Sequence, residues 1–290
     1  MSNTAWPVDG RGRQAPARHA DAMSEQEFQD RIIEAVTIPS LHMFAGYAFP
    51  DVDQATGRLY HATFMKYFSF FAWKFPSWLM NIASRCPHME VRREIIEDCV
   101  DEEVGDQEAG GRCHVDILYE EAEACGMTRA EIAATKPSPT LLACIHALEN
   151  LSNTLSWQAS LAAVQGLEML STTPSAELRK KLLEAELSAD QIKRGRSSRD
   201  ADALAERTGV PADQLVFASH HEYKDQFHGG SGLALMQKYG NSRAIQEEML
   251  WAAGAGVEIF CVMREEIDRL ARAAIGLPAG EQVRLKIQDA

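Results

Sequence analysis

Helix starts and stops punctuate this chain almost from end to end, and strand signals are scarce. Ser24 precedes a helical stretch over residues 25–38 with Glu27 at its third position, a pairing that satisfies free N–H groups at a helix start. Pro39 is expected to end that helix. A second helix is expected over residues 63–85 with a bend near Pro76, and a third over 90–104, stopped by Gly105. Residues 106–112 read as a glycine-containing loop before a fourth helix over 113–125, closed by Gly126. A short element over 128–135 and a break at Pro137 and Pro139 lead into one long helix over 140–170, with Pro174 beyond it. Pro211 opens a further helix, and a last long one is expected over 242–275, before Pro278. Residues 175–210 are rich in charge and include a basic run from Lys193 to Arg199, which reads as a solvated insertion and not as a phosphate site. There are no repeats and no low-complexity tract. Seven to nine helices in one length of chain predict a single all-α domain over 23–280, between a flexible N-terminal segment (1–22) and a short tail (281–290).

Composition narrows the class of partner. A formal charge of −13 argues against nucleic acid, whose binders work by neutralising phosphates. The six cysteines (86, 99, 113, 125, 144, 261) form no C-x-x-C pair and fall mostly among apolar neighbours, which points to buried, reduced thiols and a cytoplasmic protein. Residues 1–22 lack the apolar centre of a signal peptide, and the apolar stretch over 64–80 is interrupted by Lys66, Lys74 and Pro76, so no membrane segment is expected.

The helix after Pro211 carries His-Glu-Tyr-Lys-Asp-Gln-Phe-His at residues 221–228. Offsets of four and seven leave His221, Asp225 and His228 within roughly 40–60° of one another on one helical stripe. Mixed nitrogen and oxygen donors of this kind suit iron, manganese or zinc; the plainer alternative is a solvated face with two incidental histidines. The third helix crowds Glu94, Glu97, Asp98, Asp101, Glu102 and Glu103 into ten residues. So many adjacent acids repel, unless some face solvent or a cation. Glu97 lies beside the stripe set by Ile96, Val100 and Val104, and is the acid expected to face inward, in preference to Glu102 or Glu103.

With these residues in place, the chain from about residue 59 to 275 resembles the haem-oxygenase-like diiron oxidases and oxygenases, a family of iron-containing redox enzymes. The resemblance is carried by Ala83-Ser84-Arg85-Cys86-Pro87 at the end of an aromatic helix, and by Ile96-Glu97-Asp98 through Asp101-Glu102 and Gly105. The latter is similar to the family's Glu-Asn-x-x-Asp-Glu-x-Gly, with Asp98 standing where Asn is usual. It continues in His114 with Leu118 and Gly126, in Gly166-Leu167-Glu168 ahead of Pro174, and in Leu215-Val216-Phe217 before His221, Asp225 and His228. The loop between Glu97 and His114 is longer than the family's, and residues 184–210 look inserted.

The resemblance implies a seven-helix haem-oxygenase-like bundle with extra terminal and inserted segments, holding two iron ions and no haem. Carried over residue by residue, the ligands would be Glu97, His114, Glu168, His221, Asp225 and His228, with Asp101, Glu102 and His220 near them. Three imidazoles and three carboxylates nearly balance two ferrous ions and leave positions open. It further implies O2 as co-substrate, an external electron donor and a homodimer. The expected reaction is oxygenation of a small amine or amino acid, with N-hydroxylation in a biosynthetic pathway ahead of C–C cleavage of an amino acid or fatty acid. A non-catalytic haem- or iron-binding protein is the alternative of another class.

Other constellations are weaker. No histidine has Glu three residues before it, which excludes ferritin-type diiron motifs. His221-Glu222 begins like a zincin motif but meets Asp225 at the fifth position. His146 reads as a satisfied core or surface histidine, as do His42, His61 and His88. Tyr67, Phe68, Phe71, Trp73, Phe75 and Trp78 read as core, some of them walling the pocket.

Overall fold

The computed structural model describes residues 16–46, 49–105, 110–186 and 201–280, without the side chains of 42, 44–46, 171, 185–186 and 221–229. Regular structure among these residues is helical: α1 (Glu25–Gly46), α2 (Gln54–Arg85), α3 (Met89–Glu103), α4 (His114–Ala124), α5 (Arg129–Ala133) and α6 (Pro139–Thr154). They are followed by α7 (Trp157–Glu168), α8 (Thr173–Glu186), α9 (Ala201–Thr208), α10 (Val216–Tyr239) and α11 (Arg243–Ala274). Short 3-10 turns occupy Met169–Ser171 and Ala212–Gln214. The expected all-α, single-domain architecture is the one observed. None of the described helices is long and apolar enough to cross a membrane.

At the centre lies α7, whose residues 159–167 are all buried, as expected of a helix apolar on every side. It packs most extensively on α11, while α10 covers another of its faces. Small residues let α7 and α11 approach closely: a Cβ added at Gly256 would sit 2.4 Å from the Ala163 carbonyl oxygen, and Gly166 lies against Ala253. Along α2 runs an aromatic spine, Phe64, Phe68, Phe71, Phe75 and Trp78, which continues through ring contacts to Phe260 of α11 and Phe217 of α10. Tyr67 is only partly buried and Trp73 is exposed, so those two expected core aromatics stand outside the spine.

Several boundaries differ from expectation for local reasons. Rather than stopping at Pro39, α1 runs through it to Gly46. Its packing against α11 supplies what the lost hydrogen bond removes. The second helix starts nine residues early, because Asp53 caps it by accepting from the Thr56 N–H at 3.0 Å. The long helix expected over 140–170 is two. Ser156 caps the start of α7 through the Ala159 N–H, and its hydroxyl donates to Glu248 at 2.8 Å. Arg85 takes up carbonyls freed by that break, those of Ser152 and of Leu155 (2.5 Å). Part of the expected solvated insertion is also structural: α9 buries Ala201 and Leu204 against α2, where Arg58 donates to the Thr208 carbonyl at 3.0 Å. The Lys193–Arg199 run, residues 1–15 and residues 281–290 lie outside the described residues.

Candidate metal centre

Polar side chains of α2, α3, α4, α7 and α10 pair with one another in the interior. On α3 the buried positions are Val91, Ile95, Asp98, Cys99 and Glu102, a stripe at helical spacing. The stripe expected to face inward is the exposed one: Ile96, Val100 and Val104 are 53%, 44% and 70% exposed. Glu97 goes with them to the exposed side. The inward acids are therefore Asp98 and Glu102, at 8% and 7% exposure, and Asp101 is half-buried between them. Both stripes of α3 carry apolar residues, and the one bearing Asp98 and Glu102 faces inward.

Gly105, with φ of +111°, turns the chain after α3 in a conformation that side chains rarely adopt. The chain returns as α4 with His114 in its first turn, buried, its Nδ1 2.8 Å from Glu102 Oε1. An ionised carboxylate only accepts, so Nδ1 carries the proton and Nε2 keeps its lone pair. That Nε2 faces His220 Nε2 at 3.2 Å, with the two rings edge to face. His220, expected near the ligand stripe, is buried against His114.

Behind it, Gln165 of α7 donates to Asp98 Oδ2 at 2.8 Å, tying α7 to α3. Glu168, one turn further along α7, is half-buried. His221, Asp225 and His228 lie on the backbone of α10, and their side chains are outside the described residues. Among the described residues no group of three or more His, Cys, Asp or Glu side chains converges on one point.

A second buried pair adjoins the first. His61 of α2 donates from Nε2 to Glu121 Oε1 at 2.7 Å, and Glu121 Oε2 accepts from the Ala218 N–H of α10 at 2.9 Å. His61 is a satisfied core histidine, as expected, and its partner Glu121 is a buried acid outside the expected ligand set. The signal was available in its spacing, seven residues after His114 on one helix face. Of the other lone histidines, His88 packs on Tyr239 and Trp157, and His146 is exposed beside Glu149. His42 has its side chain outside the described residues.

Burial also sets the thiols. Cys99 is pushed up to about 12, by desolvation first and then by the charges of Asp98, Glu102 and Glu103. Cys125 is likewise pushed up to about 12, by desolvation and then Glu121. The described cysteines are free thiols, and at such values these two stay protonated.

Imidazole and carboxylate are donor types that suit iron. Buried carboxylates beside the imidazoles are of the sign that offsets a cation.

Residues 62–260 match a family described as iron-containing redox enzymes. No curated protein matches the chain. Among solved structures it is similar to a CADD-like protein of unknown function from Nostoc punctiforme, at 18% identity and a TM-score of 0.55, covering 87% of this chain and 99% of that one. It is also similar to a TenA homolog from Pseudomonas syringae pv. tomato, at 12% identity and a TM-score of 0.46, over 88% and 99% of the two chains. The first of these likenesses shows a shared fold. With the family match spanning most of its length, over the helices that carry Glu102, His114 and His220, the chain belongs to the iron-containing redox enzymes of the haem-oxygenase-like group.

Proposed function

We propose that this protein is an O2-dependent non-haem diiron oxygenase acting on a small amine or amino acid. The carrying observation is the buried Glu102–His114–His220 array, set against the helix that bears His221, Asp225 and His228. In this reading two irons are held by His114, Glu168, His221, Asp225 and His228, with Glu102 in the place first expected for Glu97. His220 and Asp101 lie beside them. Bound iron would supply the redox chemistry that couples O2 to substrate, with electrons from an external donor. The protein's own part is to fix the imidazoles and keep water out. Glu102 holds the His114 tautomer that leaves Nε2 available, and the aromatic spine closes the site on the α2 side.

N-oxygenation is the leading reaction, because three histidines and three carboxylates resemble the ligand set of the family's N-oxygenases.

Anaerobic loading with Fe(II), exposure to O2 and mass spectrometry against a panel of amines and amino acids tests the reading. A substrate gaining one oxygen atom on nitrogen supports it. Retention of haem with a Soret band, or iron-loaded protein that consumes no O2 with any member of the panel, would remove it.

A further inference from the structure

We propose that Glu121 is a positioning residue for the metal centre: it pins the N-terminus of α10 to α4 and so sets where that helix's donors stand relative to His114. The proposal rests on the metal site described above. It begins with a missing cap. The residue before α10 is Leu215, which is fully buried and offers no side-chain hydrogen bond to the first turn. A helix start without a cap leaves N–H groups unsatisfied, a cost inside a protein. Here the acceptor comes from another helix, Glu121 Oε2 on the Ala218 N–H.

Glu121 itself is 0% exposed. A carboxylate so placed needs compensation, and two sources are present: the His61 Nε2–H at 2.7 Å and the positive end of α10. Glu121 and His114 are seven residues apart on α4, hence on one face, two turns from each other. Ala218 and His220 are two residues apart at the start of α10. The two helices therefore meet at two points, Glu121 on Ala218 and His114 on His220. One contact would let α10 rotate about it; two fix both its rotation and its slide. His221, Asp225 and His228 follow on the same rigid helix.

The test uses the full-length chain with Glu121→Leu, Glu121→Gln, His61→Leu and a remote control, Glu266→Gln. Three things are measured: the thermal midpoint, amide hydrogen exchange over residues 216–220, and anaerobic Co(II) titration followed by its ligand-field spectrum. Glu121→Leu keeps the volume and loses the acceptor. It should speed exchange at 216–220 and weaken Co(II) binding by about tenfold or more, the usual cost of removing a group that orients ligands. Glu121→Gln retains an oxygen for the Ala218 N–H and should recover most of both. Glu266→Gln should lower the thermal midpoint and leave Co(II) binding as in wild type.

Wild-type Co(II) affinity and spectrum in Glu121→Leu would overturn the proposal, as would equal weakening in Glu266→Gln. Should Glu121→Leu fail to fold, His61→Leu decides: faster exchange at 216–220 with weaker Co(II) binding supports the pinning role, and wild-type behaviour in both removes it. A wild-type protein that binds no Co(II) would sink the metal reading alone, and exchange at 216–220 would still decide whether Glu121 holds α10.

Discussion

On α3, one residue of register separates Glu97 on the exposed side from Asp98 in the interior, and Glu102 follows Asp98 one turn on. Glu97→Ala should therefore keep the metal content of wild type, and its stability within about 0.5 kcal/mol, as for most surface changes. Glu102→Ala removes the partner of His114 Nδ1 and should lower iron content sharply, read by metal analysis after anaerobic loading. Iron lost from the Glu97 variant and retained by the Glu102 variant would reverse this assignment. Cys99 carries a second expectation at this scale. Its thiol is buried and raised to about 12, so maleimide at neutral pH should label it only after denaturation. Cys113, more accessible and less shielded, should be labelled in the native protein ahead of it, which peptide mapping can show.

Individual helices are held at their ends by side chains from distant elements. Ser138 caps α6 at the Leu141 N–H, and its hydroxyl donates to Glu266 of α11 at 2.6 Å. Arg269 donates to the same carboxylate at 2.6 and 2.8 Å. Glu266 is thereby held below the usual carboxylate range, by the Arg269 hydrogen bond first, with burial opposing and Ser138 assisting. A depressed carboxyl contributes stability that is present above its unfolded pKa of about 4.3 and lost as pH falls through the lower folded value. The thermal midpoint of Glu266→Gln should thus lie below wild type at neutral pH, with the gap closing on acidification. A gap that stays constant down to about pH 3 would show that the ionised form contributes nothing. The same logic of distant support explains the break between α6 and α7. The apolar periodicity runs on through residues 140–170, whereas Arg85 and Glu248 stabilise the interruption from other helices.

The whole bundle depends on how closely α7 and α11 approach. A Cβ at Gly256 would meet the Ala163 carbonyl oxygen at 2.4 Å, and that atom is backbone, so the helices themselves would have to part. Gly256→Ala should destabilise the protein by about 1–3 kcal/mol, the usual cost of overfilling a packed interior, although alanine is the better helix former. Urea unfolding measures it, and a variant as stable as wild type would mean the contact is loose. Since α7 also carries Gln165 and Glu168 towards α3 and α10, parting these helices should reduce metal binding as well.

The sequence by itself determined the helical class and most helix ends, because caps, glycine stops and 3.6-residue spacing are local properties. Gly105, Gly126, Ser24 and Ser242 mark ends that the structure keeps. Tertiary structure alone decided which face of α3 turns inward. Both of its stripes hold apolar residues, and the inward one is the stripe that can give Asp98 to Gln165 and Glu102 to His114. It alone carried α1 past Pro39, divided the long helix at Ser156 and paired His61 with Glu121 across 60 residues. Each of these depends on a partner remote in the chain, and a buried charge or an unsatisfied backbone group can be compensated only by what packs beside it.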